Sequence, residues 1–282
     1  MINGSLVLEG GGMKGVYTAG VLDFFQDKDI LFSSVYGVSA GACQMCSYLS
    51  KQSGRGIRTM TEYLNDKRYM GIESYLKTGD IFGADFNYNL VPNELDPFDY
   101  DEFDRYEGKP YAVVTNMITG EAEYILLENI RKDFIYVRAS SSLPLVSRSL
   151  FIKNIPYLDG GIADSIPLEK SMNDGNAKNV VVLTKPVGYR KSQEHMLGLM
   201  KLRYKKYPKI YELMKNRHER YNANIEFVEK EAEKGNIFLI RPLENMEIGR
   251  LERDKDKLMA LYQEGYDEAK ASYDAMMSYL NA

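Results

Sequence analysis

Short apolar runs and longer stretches with helical periodicity take turns along this chain, a pattern that predicts an α/β architecture. Ser5–Glu9 (SLVLE) reads as a buried strand, followed by three glycines and a helix reaching about Gln26. A second strand over Ile30–Tyr36 leads through a glycine-flanked serine into a helix over Ala40–Ser50. Tyr111–Met117 and Glu121–Leu127 read as paired strands about a Thr119-Gly120 turn, and Phe134–Ser142 as a helix that stops before Pro144. Asn179–Thr184 (NVVVLT) is a continuous apolar run, as expected of a strand covered on both faces inside a parallel sheet. Beyond it, residues 192–234 read as mostly helical, Asn236–Arg241 as a late strand and Asp254–Leu280 as a long closing helix. No repeat and no Gly/Ser/Pro-rich linker breaks the pattern, so residues 1–282 are expected to form one domain.

Composition narrows the class. The 282 residues carry 36 Lys+Arg against 40 Asp+Glu, a net charge of −4, with 44% hydrophobic residues. Such proportions argue against disorder and against a disulfide scaffold. A mildly acidic chain is not built as a whole to bind nucleic acid. No apolar run approaches the ~18–20 residues of a bilayer span. Met1-Ile2-Asn3-Gly4-Ser5 lacks the charged head and apolar core of a signal peptide, and two cysteines fit a reducing compartment, so a cytoplasmic protein is expected. Charge is nevertheless uneven. Residues 80–107 hold nine acids and only Arg105 as a base, whereas residues 190–220 hold ten bases and three acids. Within the latter, Lys201-Leu202-Arg203-Tyr204-Lys205-Lys206-Tyr207 interleaves cations with Leu and Tyr. That segment suits peripheral contact with the anionic inner membrane surface, or else a solvated face or one paired with the acidic stretch.

Three short patterns carry chemistry. Gly10-Gly11-Gly12-Met13-Lys14-Gly15 follows a strand and opens a helix, matching G-x-G-x-x-G. A dinucleotide site also wants an acid at the end of the second strand, but Asp27 and Asp29 come before that strand. What survives is a cradle of backbone N–H groups for a phosphate or for the oxyanion of a tetrahedral intermediate. Gly37-Val38-Ser39-Ala40-Gly41 is G-x-S-x-G between strand and helix, the form of a nucleophile elbow. A Ser-His-Asp triad needs a histidine, and the only two, His195 and His218, sit in polar segments that read as exposed helix. His195 does follow the candidate aspartate, so the hydrolase order of triad residues stays open. Asp159-Gly160-Gly161 closes an apolar Tyr157-Leu158 approach; it is either a β-turn or a carboxylate placed to take a serine proton. Cys43 and Cys46 lie three apart on the helix after the elbow, with no second ligand pair for a metal, and read as small core residues.

Gly10–Gly15, Gly37–Gly41 and Asp159–Gly161, in this order and spacing, resemble the patatin-like phospholipase family; Ala139-Ser140-Ser141-Ser142-Leu143-Pro144 resembles the helix end that precedes that family's aspartate. The similarity covers residues 5–185, with 186–282 expected to be a mainly helical extension whose one late strand packs on the core. The resemblance implies a three-layer α/β fold, a mostly parallel central sheet with helices on both faces. It implies Ser39 as nucleophile and Asp159 as base. The amides of Gly11, Gly12 and Met13 become the oxyanion hole, and Lys14 the basic residue of the glycine loop. The implied activity is acyl-ester hydrolysis, with lipids as substrates and no metal or organic cofactor. A transacylase with the same pair of residues, or a phosphate- or nucleotide-binding module built on the glycine loop, are the alternatives.

Overall fold

The computed structural model describes residues 1–243 and 246–282. Its centre is an eight-stranded mixed sheet of β1 (Ile2–Leu8), β2 (Phe32–Val38), β3 (Lys109–Asn116), β4 (Ala122–Leu126), β5 (Leu150–Ile152), β6 (Ile155–Asp159), β7 (Asn179–Val182) and β8 (Phe238–Ile240). Strands β3, β2, β1, β7 and β8 run side by side and parallel. Among the described residues the α-helices are α1 (Gly15–Asp27), α2 (Ala40–Leu49), α3 (Arg55–Thr61), α4 (Ile72–Thr78), α5 (Tyr100–Asp104), α6 (Ile130–Ser140), α7 (Leu168–Asn173), α8 (Leu197–Arg203), α9 (Pro208–Lys215), α10 (Arg217–Glu233), α11 (Lys255–Ala271) and α12 (Tyr273–Asn281).

The strand alternation explains why the central strands are apolar throughout. Leu6, Leu8, Val35, Val180 and Val182 enter one core, with Val16, Phe25 and Met45 from α1 and α2. Their neighbours Val7, Tyr36 and Val181 enter a second core on the opposite face, with Leu168 of α7 and Tyr221, Ile225 and Val228 of α10. Helices therefore cover both faces of the sheet, which is the expected fold class. Parts of the C-terminal third pack on the same sheet and core. β8 extends the sheet beside β7, and Leu258, Leu261 and Ala269 of α11 join the first core. Tyr262 Oη donates to Asp23 of α1 at 2.8 Å.

Where the elements depart from expectation, local chemistry accounts for it. The closing helix is two, because the Ser272 hydroxyl bonds back to the Glu268 carbonyl at 2.7 Å and the chain turns there. Residues 192–234 begin without helix and then form three, the second starting at Pro208, a residue suited to a first helical turn. The β5–β6 hairpin has no counterpart in the predicted elements; its turn, Lys153-Asn154, has φ of 50° and 67° at two non-glycine residues. The acidic and basic stretches do not pair with each other among the described residues. Asp96 bonds Arg55 and Arg58, Glu102 bonds Lys51 and Arg105, and Asp101 bonds Arg131.

Candidate active site

The register of β3 assembles the site. Residues Tyr111–Val113 pair with both β2 and β4, so those two strands lie on opposite edges of β3. Val114 and Thr115 pair with both β4 and β6, so β6 is again opposite β4. Strands β2 and β6 consequently share one edge of β3 and meet tip to tip. Val38 sits across from Val113, and Asp159 across from the next residue, Val114. The residue that follows Val38 is Ser39. Two segments 120 positions apart are thus aimed at one point by consecutive residues of a third strand.

Ser39 occupies the turn from β2 into α2 with φ 54° and ψ −121°, a conformation a serine adopts only under constraint. The constraint is visible. Its backbone N–H donates to the Ser140 hydroxyl at 2.8 Å, and its carbonyl accepts from Ala42 and Cys43 at 3.0 and 3.2 Å. The flanking glycines are required by closeness. A Cβ on Gly37 would lie 2.6 Å from the Ala42 Cα, and one on Gly41 2.5 Å from the Leu8 carbonyl oxygen. Gly10 and Gly15 of the glycine loop face Ser39 and Ala40 from the other side.

The Ser39 hydroxyl donates to Asp159 Oδ2 at 2.6 Å. The other carboxylate oxygen accepts from the Gly161 N–H at 2.7 Å. Asp159 is held further by its own N–H, which donates to the Ser142 carbonyl at 2.8 Å, and by its carbonyl, which accepts from Thr115 Oγ1 at 2.8 Å. Burial pushes the Asp159 carboxyl above the usual aspartate range, against the opposing pull of the Ser39 hydrogen bond, Arg217, the Gly161 N–H and Arg250. A more basic carboxylate, buried and bonded to a serine hydroxyl, has the character of a general base. The sequence marked 139–144 only as a helix end. In the structure Ser140 anchors one of the paired residues and Ser142 the other.

The glycine loop lies alongside in a 3₁₀ turn over Gly12–Lys14. Among the described residues the N–H groups of Gly11 and Gly12 have no partner. The expectation for Met13 needs correction, because its N–H donates to the Arg250 carbonyl at 3.3 Å and is not free. Two cavities meet at Ser39, and Gly12 and Leu143 line both. One, of about 150 Å³, is mainly apolar, with Met13, Tyr69, Phe82, Val91 and Phe134 in its wall. The other, of about 180 Å³, runs past Asp159 and is lined by Lys14, Lys185, Lys191, Arg217 and Arg250.

The histidines lie apart from Ser39. His195 is exposed and precedes α8, and His218 is half-buried on α10; neither lines a cavity at Ser39. Cys43 does line the apolar cavity, but burial pushes its thiol up, away from the reactive thiolate. Cys46 is buried and donates to the Ala42 carbonyl at 3.3 Å. No cluster of three metal-ligating side chains occurs among the described residues, and no helix there is long and apolar enough to cross a membrane.

A family model described as Patatin-like phospholipase matches residues 6–171, and one for a domain of unknown function (DUF6363) matches residues 207–281. The uncharacterized protein YjjU of Escherichia coli (strain K12) is 28% identical over 258 residues, which cover 87% of this chain and 71% of that protein. Among solved structures, VipD from Legionella pneumophila aligns with 16% identity and a TM-score of 0.47; the match covers 98% of this chain, which spans 66% of VipD.

Proposed function

The chain belongs to the patatin-like phospholipase family, a family of lipid acyl hydrolases, and from that premise we propose that it is a serine esterase of lipids in which Ser39 is the nucleophile and Asp159 its base. The observation that carries the reading is the 2.6 Å hydrogen bond from Ser39 to a buried carboxylate of raised basicity. Ser39 Oγ attacks the ester carbonyl as its proton passes to Asp159. The carbonyl oxygen becomes an oxyanion beside the Gly11 and Gly12 N–H groups. Collapse breaks the ester C–O bond, and the departing alcohol takes the proton from Asp159. The same carboxylate then deprotonates a water that attacks the acyl-serine, freeing the fatty acid and Ser39. The apolar cavity supplies a place for the acyl chain. A transacylase differs only in that a second alcohol replaces the water, and product analysis with an added glycerol acceptor separates the two. We also take residues 1–282 as one folding unit, on the strength of β8 and α11.

The surface around the site fits approach to a cytoplasmic membrane face. Leu145, two residues beyond the shared wall residue Leu143, is gripped by Tyr75 Oη at 3.2 Å and Tyr204 Oη at 3.1 Å. Beside those anchors, Ile72 and Leu76 of α4 and Leu202 of α8 are 75%, 77% and 73% exposed. Lys201, Arg203, Lys205 and Lys206 are exposed in the same region as Leu202. Exposed apolar side chains interspersed with cations, as around Leu202, suit an anionic lipid surface. Flotation should recover more protein on anionic than on neutral vesicles at low salt, and equal recovery would reduce the patch to surface charge.

The test of the enzymatic reading is fatty-acid release from lysophospholipid, diacyl phospholipid and p-nitrophenyl esters of graded chain length. Release that vanishes in Ser39→Ala supports it. A folded protein that cleaves none of them, or release that survives Ser39→Ala, refutes it.

A further inference from the structure

The cavity beside Asp159 holds more positive charge than the described residues around it neutralise. Five cations line it against two acids, Glu9 and Asp159. Glu9 is spent on other partners: its carboxylate accepts from the Thr184 N–H at 2.6 Å, the Thr184 hydroxyl at 3.0 Å and Tyr221 Oη at 2.6 Å. Arg217 bonds Glu194 at 3.2 Å and the Gly161 carbonyl at 3.0 Å. Among the described residues no carboxylate oxygen comes within 4.0 Å of the charged groups of Lys14, Lys185, Lys191 or Arg250. Lys185 Nζ bonds only the Thr184 hydroxyl, at 3.0 Å, and lies over Tyr189; Lys191 Nζ stands 5.2 Å from the Tyr221 ring.

Such an arrangement is unfavourable as it stands. Lys185 is lowered to about 8 and Lys191 to about 7, by burial first of all, with the facing cations Arg217 and Arg250 acting in the same direction. Half-buried cations without counter-charges are expected where a ligand brings the missing anion. The cavity's position says which part of a ligand that is. It meets the apolar cavity at Ser39, so an ester spanning the two places its acyl chain in one and its alcohol portion in the other.

We propose that the cavity formed by Lys14, Lys185, Lys191, Arg217 and Arg250 binds a phosphate carried by the alcohol portion of the substrate. It selects phosphates that bear no amine of their own, favouring phosphomonoester and other anionic headgroups over zwitterionic ones. A choline or ethanolamine ammonium would be repelled by the same five cations that attract the phosphate. The assignment of the phosphate to the alcohol end rests on the reading of Ser39 as nucleophile; the phosphate site itself does not.

Calorimetric titration of the full-length protein tests this without any acyl ester present. sn-Glycerol 3-phosphate should bind about tenfold or more tightly than glycerophosphocholine, and Lys185→Met with Lys191→Met should weaken it by a similar factor. That double substitution keeps most of the side-chain length and removes two cations that have no carboxylate within 4.0 Å among the described residues, together with the Lys185–Thr184 hydrogen bond, so its Tm without ligand should fall little. The phosphomonoester should raise the Tm of the native chain and not of the variant. Inorganic phosphate is the control for source. Weaker binding than glycerol phosphate supports a headgroup site, and equal binding supports a phosphate site that takes the free anion. Equal affinity for the monoester and the phosphocholine, no binding of either phosphate at millimolar concentration, or undiminished binding in the double variant would each overturn the proposal. Phosphate binding without ester hydrolysis would fault the reading of Ser39 alone.

Discussion

Replacing Asp159 with Asn separates chemistry from architecture, because the two side chains are nearly isosteric. In the native chain Oδ1 accepts the Gly161 N–H at 2.7 Å, and Oδ2 accepts the Ser39 hydroxyl at 2.6 Å. The Asn amide oxygen must stay on the Gly161 side, so its NH₂ faces Ser39 Oγ and donates where the carboxylate accepted. The serine then keeps its position and loses its proton acceptor. No histidine lines either cavity to take over. General-base assistance is worth roughly 10²–10⁴-fold, and a buried, directly bonded base with no substitute belongs at the upper end, about 5 kcal/mol in kcat. Stability should move the other way. The folded-state Asp159 carboxyl is raised above its unfolded value, so folding favours the protonated form. That contribution is complete below the unfolded value and is lost as pH rises through the folded one. Asn, which is never charged, keeps it, so Asp159→Asn should have a higher Tm than the native chain at pH 7 and lose that advantage at acid pH. Fatty-acid release and thermal unfolding on the same samples supply both readouts. A variant with near-native kcat, or one less stable at pH 7 than at acid pH relative to the native chain, would refute the reasoning.

Other substitutions probe the surrounding parts. Ser140→Ala removes the acceptor of the buried Ser39 N–H; it should cost about 1–3 kcal/mol of stability and lower kcat, and unchanged denaturant midpoints would show that the elbow does not depend on that bond. Gly12→Val forces a β-branched residue to φ +57° with its Cβ 3.0 Å from the Arg250 carbonyl oxygen. With one oxyanion donor displaced, kcat/KM should fall by about 2–4 kcal/mol, and a normal rate would mean that the loop has another job. His195→Ala and His218→Ala should each leave kcat close to native, since neither side chain lines a cavity at Ser39; a loss of orders of magnitude in either, with folding unchanged, would point to a triad.

The parts of this molecule that could be read along the chain are those specified by neighbouring residues. The runs in β1, β2 and β7 are apolar because both faces are covered, and G-x-S-x-G needs its glycines for contacts within a few ångströms. The β5–β6 hairpin left little trace, since Lys153-Asn154 carries no glycine and Pro156 falls inside the second strand. The roles of Ser140 and Ser142 became visible only once β6 was seen to share an edge of β3 with β2. The basic cavity was least legible of all. Its cations come from the glycine loop, the segment after β7, the start of α10 and the approach to α11, so no window of the sequence contains them together. Only Arg217 and Lys191 fell within the basic stretch noted at 190–220, and there they looked like surface charge.

The central claim is that Ser39 is an activated nucleophile, and covalent labelling reaches it most directly. Full-length protein incubated with a fluorophosphonate probe, then weighed intact and mapped by peptide mass spectrometry, should carry one adduct, on Ser39, formed much more slowly in Asp159→Asn. A folded protein that takes up no probe, or takes it up on another residue, would contradict the account.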